Sequence, residues 1–126
     1  MKYNDLTRRY FDQPVACGAL SGPGTFRGTA GGRAQGTWVQ FDVRTAGEAR
    51  IIEAARFLAF GCPHVIAVAA WLAEHAVGRR VGTALPESVQ TLRARFDAPV
   101  EKLGRLLIVE DAWTSVMRAA MSVDAP

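Results

Sequence analysis

Thr37, Val39, Phe41 and Val43 alternate with Trp38, Gln40, Asp42 and Arg44. A period of two predicts a half-buried strand over residues 37–44. Thr45-Ala-Gly-Glu48 reads as a hairpin turn and Arg50 to Phe60 as the returning strand, where poorer alternation predicts a bulge or a buried second face. Beyond Cys62 the period changes. Val65, Ile66, Ala69, Leu72, Ala73 and Ala76 fall on one helical face, Pro63 suits the first helical position, and Gly78 ends the run. A short helix is expected over Asp5–Phe11, stopped by Pro14, and another over Pro86–Phe96 with Val89, Leu92 and Phe96 inward. From Pro99 onwards, Leu103, Leu106, Leu107, Glu110, Val116 and Met117 predict a long last helix, interrupted near Gly104. Residues 18–36 hold most of the glycines and read as irregular loop and short strand. Strands first and helices later predict an α+β domain: a three-stranded antiparallel sheet with helices packed on one face and a long C-terminal helix. Trp71 and Trp113 lie on helices and are expected in the core.

Length and composition narrow the reading. A chain of 126 residues is expected to form a single domain over residues 1–126 with one core. Its 49% apolar and 21% charged residues are ordinary for a globular protein. The net charge of +3 is scattered, without a basic run or aromatic stripe, so no nucleic-acid partner is expected. No run approaches the roughly 18 apolar residues of a membrane helix, and the first residues lack the apolar middle of a secretory signal. Two cysteines are too few for a disulfide framework. The expected setting is the cytoplasm, with both thiols free. The glycines of residues 28–36 come without the lysine and strand–helix context of a phosphate-cradling loop.

Cys62 is the first candidate for chemistry, because it stands where a strand ends and a helix begins. Unpaired N–H groups and the positive end of the helix dipole favour its thiolate, the metal-binding and nucleophilic form. The plain alternative is a small buried hydrophobe at an element boundary. No general base stands at motif spacing, so a thiol enzyme is not expected.

The run Ile51-Ile-Glu-Ala-Ala-Arg-Phe-Leu-Ala-Phe-Gly-Cys62-Pro-His64-Val-Ile-Ala resembles the segment around the middle cysteine of the U-type iron–sulfur scaffolds, the NifU N-terminal or IscU-like family. Tyr10-Phe-Asp-Gln-Pro14 is similar to that family's opening His-Tyr-x-x-Pro, and Gly31-Gly-Arg-Ala-Gln-Gly36 to the loop before its first paired strand. Gly78-Arg-Arg-Val81, Pro99-Val-Glu-Lys-Leu103 and Glu110-Asp-Ala112 resemble later family segments in the same order. The resemblance implies a non-enzymatic scaffold that builds a [2Fe–2S] cluster on three cysteines plus an aspartate or histidine. It implies cysteine desulfurase as a partner, and a chaperone that reads the Pro99, Val100, Lys102 segment.

The ligand pattern departs from the family. Gln35-Gly36-Thr37 stands where the family has Cys-Gly-Asp, and Lys102-Leu-Gly104-Arg105 where it has Lys-Leu-His-Cys. Only Cys62 of the ligand set remains, and Cys17 falls at a position that is not a ligand in the family. The expectation is therefore a scaffold-like assembly protein with altered or lost cluster binding. Cys62 is its candidate metal and cofactor ligand and His64 an auxiliary one, for a [2Fe–2S] cluster, for iron or zinc, or for no metal at all. His75, Cys17, or a homodimer joining two Cys62 thiolates are the other ways to complete coordination. The alternative is a persulfide-sulfur acceptor or regulatory partner of the desulfurase machinery, with Arg105 helping to hold the thiolate or binding an anion.

Overall fold

The computed structural model describes residues 3–47, 50–82 and 85–122. The order is α1 (Asp5–Asp12), β1 (Thr25–Gly32), β2 (Thr37–Ala46), β3 (Ile51–Phe60), α2 (Pro63–Ala76), α3 (Val89–Arg95), a 3-10 turn (Val100–Lys102) and α4 (Leu103–Ser122). The strands form one antiparallel sheet in the order β1-β2-β3. The expected α+β architecture and the long last helix are both present.

Val39, Phe41 and Val43 of β2 point into the core and are almost fully buried. Phe41 meets Trp113 of α4 edge to face, with ring centroids 5.7 Å apart. This contact ties the sheet to the last helix through two large apolar groups. The other face of β2 is also covered, so the strand is not half-buried. Asp42 is fully buried, accepting from Leu20 N at 2.9 Å and from Arg27 Nε at 2.8 Å and Nη2 at 2.9 Å. The segment ahead of β1 folds over that face and turns a polar position inward, because a buried carboxylate with three donors is satisfied.

The bulge expected in the returning strand is there. Ala54 pairs with Arg44 while Ile52 pairs with Thr45, which leaves Glu53 as the extra residue. Of the predicted hairpin turn, Glu48 lies outside the described residues.

Three expectations change. The glycine-rich stretch contains a full eight-residue strand, β1, because glycine there serves packing as well as turning. A Cβ on Gly28 would collide with the backbone of Ser115 and Val116, so α4 crosses β1 closely at a position that carries no side chain. Next, α3 starts only at Val89, capped by Ser88, whose Oγ accepts from Thr91 N at 3.1 Å. Finally, α4 runs unbroken through Gly104, since one glycine costs a helix only about 1 kcal/mol and the buried Leu106, Val109, Val116 and Met117 outweigh it. Leu107, beside the buried Leu106, is 42% exposed.

Helix α2 is buried nearly all round rather than on one face. Ala67, Ala69, Ala70 and Ala73 are completely covered, and their small side chains let β3, α1 and α4 approach the helix. The site lies at the start of this buried rod. Trp71 and Trp113 are core residues, as expected.

Candidate functional site

Strand β3 hands over to α2 within two residues. Gly61 has φ +151°, a conformation that L side chains rarely adopt. Cys62 then takes the N-cap position in extended conformation (φ −76°, ψ 164°), and Pro63 opens the helix, where its missing N–H costs nothing. This geometry holds the half-buried thiol at the positive end of a helix that cannot reorient.

The surroundings of the sulfur are cationic. Burial pushes the Cys62 thiol up, but the Val65 amide, the charge of Lys102, and hydrogen bonds from Lys102 and Arg105 outweigh it and bring the thiol below its ordinary value. Lys102 closes the 3-10 turn and Arg105 lies in the first turn of α4. At a spacing of three residues they share one helical face, so the starts of α2 and α4 converge on one thiol. Thr37, the first residue of β2, packs beneath. A Cβ built on Gly61 would lie 3.6 Å from Thr37 Oγ1 and 3.5 Å from Val65 Cγ1. Thr37 is fully buried and its hydroxyl has no hydrogen-bond partner. Trp38 and Phe60 stack at 6.0 Å beside the turn, and Phe60 is 43% exposed.

The other candidates are distributed differently. His64 is 1% exposed with neither ring nitrogen partnered, and its ring lies edge-on to Tyr3 at 4.9 Å. Burial lowers its pKa, Lys102 lowers it further, and Asp97 acts in the opposite direction. His75 stands near the far end of α2, with Nδ1 2.9 Å from Trp71 O and its ring stacked on Trp71 at 4.1 Å. Cys17 is exposed and bridges Phe57 on the edge of β3. Gln35 is exposed in the β1–β2 turn. Pro99 caps the 3-10 turn, and Val100 is 69% exposed.

The structure therefore gathers Cys62, Lys102 and Arg105, with Thr37 beneath them, and leaves His75 and Cys17 elsewhere. Sequence reasoning gave Lys102 to partner binding and missed it as a neighbour of the thiol. Its i, i+3 relation to Arg105 is the signal that could have found it. Among the described residues, no three His, Cys, Asp or Glu side chains come together as a metal-binding group.

A half-buried thiol of lowered pKa at the junction of a three-stranded antiparallel sheet and a buried helix, with Arg105 of the last helix and Lys102 of the turn before it favouring its charged form, defines a cysteine-centred α+β domain. The chain matches the family model of the NifU-like N-terminal domain over residues 2–118 and belongs to that family, the scaffold family of iron–sulfur cluster assembly. Its fold is similar to the crystal structure of the N-terminal part of a nitrogen-fixing NifU-like protein from Brucella abortus. The two share 14% identity, with 94% of each chain covered and a TM-score of 0.71. It is also similar to an iron–sulfur cluster assembly scaffold protein for the SUF system from the thermophile Fervidobacterium islandicum AW-1. There the identity is 11%, the coverage 94% of this chain and 96% of that one, and the TM-score 0.64. No curated protein sequence matches.

Proposed function

We infer that this chain is an iron–sulfur assembly protein that handles sulfur, with Cys62 accepting persulfide sulfur from a cysteine desulfurase. The supporting observation is the cationic setting of one thiol: Lys102 and Arg105 beside Cys62, at the start of α2. In the transfer, the Cys62 thiolate attacks the terminal sulfur of the desulfurase persulfide. A new S–S bond forms on Cys62, the old one breaks, and the donor cysteine leaves as thiolate. Lowering the thiol pKa enlarges the share of thiolate, the attacking species this step needs. The same cations then stabilise the persulfide anion.

The donor set fits a cluster poorly. Iron–sulfur clusters are held by several thiolates, whereas the groups beside Cys62 are an ammonium and a guanidinium, neither of which donates a lone pair when protonated. With one thiolate the cluster core stays cationic, and both side chains oppose it. Cluster holding is then a property of a homodimer joining two Cys62 thiolates, and family membership favours keeping it as the second reading. Pro99 and the exposed Val100 are the partner-facing candidates for a chaperone, with Lys102 engaged at the thiol. The reducing cytoplasm, where a free thiol persists, is the setting proposed.

Incubation with a cysteine desulfurase and cysteine, followed by cyanolysis, tests the leading reading. About one sulfane sulfur per chain is expected on the wild type, and none on Cys62→Ser. Anaerobic reconstitution with iron and sulfide tests the second reading. A visible cluster chromophore that disappears in Cys62→Ser would replace the sulfur reading with the cluster reading.

A further inference from the structure

Helix α4 buries one side, with Leu106, Val109, Val116 and Ala120, and leaves another open. On the open side Gly104, Leu107, Asp111, Arg118 and Met121 are exposed and Thr114 is half-buried. These positions recur at alternating intervals of three and four residues, so they form one stripe along the helix. The stripe is symmetric about Thr114. Leu107 and Met121 stand at equal distances from it, each 42% exposed, and Asp111 and Arg118 stand between them and the centre. Neither Asp111 nor Arg118 has an ion pair or side-chain hydrogen bond among the described residues. They cannot satisfy each other, because the helix holds them about 10 Å apart along its axis.

We propose that two copies of this chain pair through α4, antiparallel, about a two-fold axis beside Thr114. Asp111 then meets the partner's Arg118, and Arg118 meets the partner's Asp111. Leu107 covers the partner's Met121, and Met121 covers the partner's Leu107. A patch that is complementary to itself is what a two-fold axis requires. Parallel pairing would set Asp111 against the partner's Asp111 and Arg118 against the partner's Arg118, and like charges oppose it. The small side chains of Thr114 and Ser115 let the helices approach at the axis. Between two helices the ion pairs are partly shielded from water, which strengthens them.

This pairing keeps the two thiols apart. A Cβ on Gly31 would lie 2.9 Å from Ile108 Cγ2 and against Thr37 O, and Thr37 also packs on Gly61. The Cys62 turn therefore sits toward the N-terminal half of α4. An antiparallel pair separates the two Ile108 levels by about 20 Å along the helices and puts the two Cys62 turns toward opposite ends. Each thiol is left to react alone, and this dimer does not join two Cys62 thiolates on one cluster. The pairing itself is independent of the sulfur-acceptor reading.

Sedimentation velocity of the full chain, in reductant to exclude disulfide dimers, tests the pairing. One helix pair is a small interface, so a monomer–dimer equilibrium with a dissociation constant of about 10 μM is expected. Asp111→Arg and Arg118→Asp each set like charges across the axis, and each should weaken association about tenfold or more. Both positions are exposed, so the circular dichroism of each variant should match the wild type. Mixed in equal amounts, the two variants should recover the dimer, because one chain then brings two cations to the stripe and the other two anions. The double variant Asp111→Arg/Arg118→Asp should dimerise with itself. A wild type that stays monomeric up to about 500 μM would overturn the proposal. So would a dimer that neither charge reversal weakens, or a mixture of the two variants that remains monomeric.

Discussion

Arg105, in the first turn of α4, acts with Lys102 to lower the pKa of the Cys62 thiol at the start of α2. Lys102, in the 3-10 turn before α4, contributes the larger share of that cationic effect. Both cations favour the charged form of the thiol against the opposing effect of burial. Removing either one therefore raises the thiol pKa. Arg105→Gln and Lys102→Met should each move the midpoint of the alkylation rate against pH to higher pH, and the double variant should move it further. An unchanged midpoint in both single variants would separate these cations from the thiol.

Helix α4 lies on β1 at Gly28, where a Cβ would meet the backbone of Val116. Backbone cannot yield as a flexible side chain can, so substitution forces the helix off the strand. Gly28→Val is expected to lower unfolding free energy by about 2 kcal/mol or more, read as a shifted urea midpoint. Gly36→Ala makes no new contact, because open space surrounds that position; its cost is limited to the positive φ of Gly36, and it serves as the comparison.

Tyr10 of α1 donates its hydroxyl to Glu74 of α2. Burial and this hydrogen bond push the phenol from 10.0 up to about 12. The folded state thus holds the phenolic proton more tightly than the unfolded chain does. The resulting stability is fully present below the unfolded value of 10.0 and is lost as pH rises through about 12. Tyr10→Phe should be less stable by roughly 1 kcal/mol at neutral pH, and the difference between the two proteins should shrink over that alkaline window. Denaturation at a series of pH values measures it, and a constant difference would contradict the assignment.

His64 is buried with neither ring nitrogen partnered. Two unsatisfied polar atoms in the interior cost free energy, and an apolar replacement of similar size removes that cost. His64→Leu should match the wild type or exceed it by about 1 kcal/mol, and sulfur loading of Cys62 should persist. Loss of both stability and bound iron would instead make His64 a ligand.

Local sequence signals carried the sheet, the strand-to-helix handover and the last helix. The alternation of Val39, Phe41 and Val43 marks the core face of β2 and the change of period after Cys62 marks the start of α2, although both elements are covered on further sides as well. The glycine-rich stretch was misread because Gly28 answers to a helix far along the chain, and no local pattern encodes a partner at Val116. Asp42 on the outer face of β2 was opaque for the same reason, since its partners Arg27 and Leu20 precede it by many residues. At the site, Cys62 was legible from its junction, and Arg105 entered only as the residue in a ligand's place. Lys102 was assigned elsewhere, because which face of a turn meets a distant thiol is decided by how α4 packs.

The central claim is that sulfur resides on Cys62. The most direct measurement is peptide mass spectrometry of the wild-type chain after reaction with a cysteine desulfurase and cysteine, with the persulfide trapped by alkylation. The added sulfur should map to the peptide containing Cys62, with the exposed Cys17 unmodified. An unmodified Cys62, or sulfur on Cys17 alone, would contradict it.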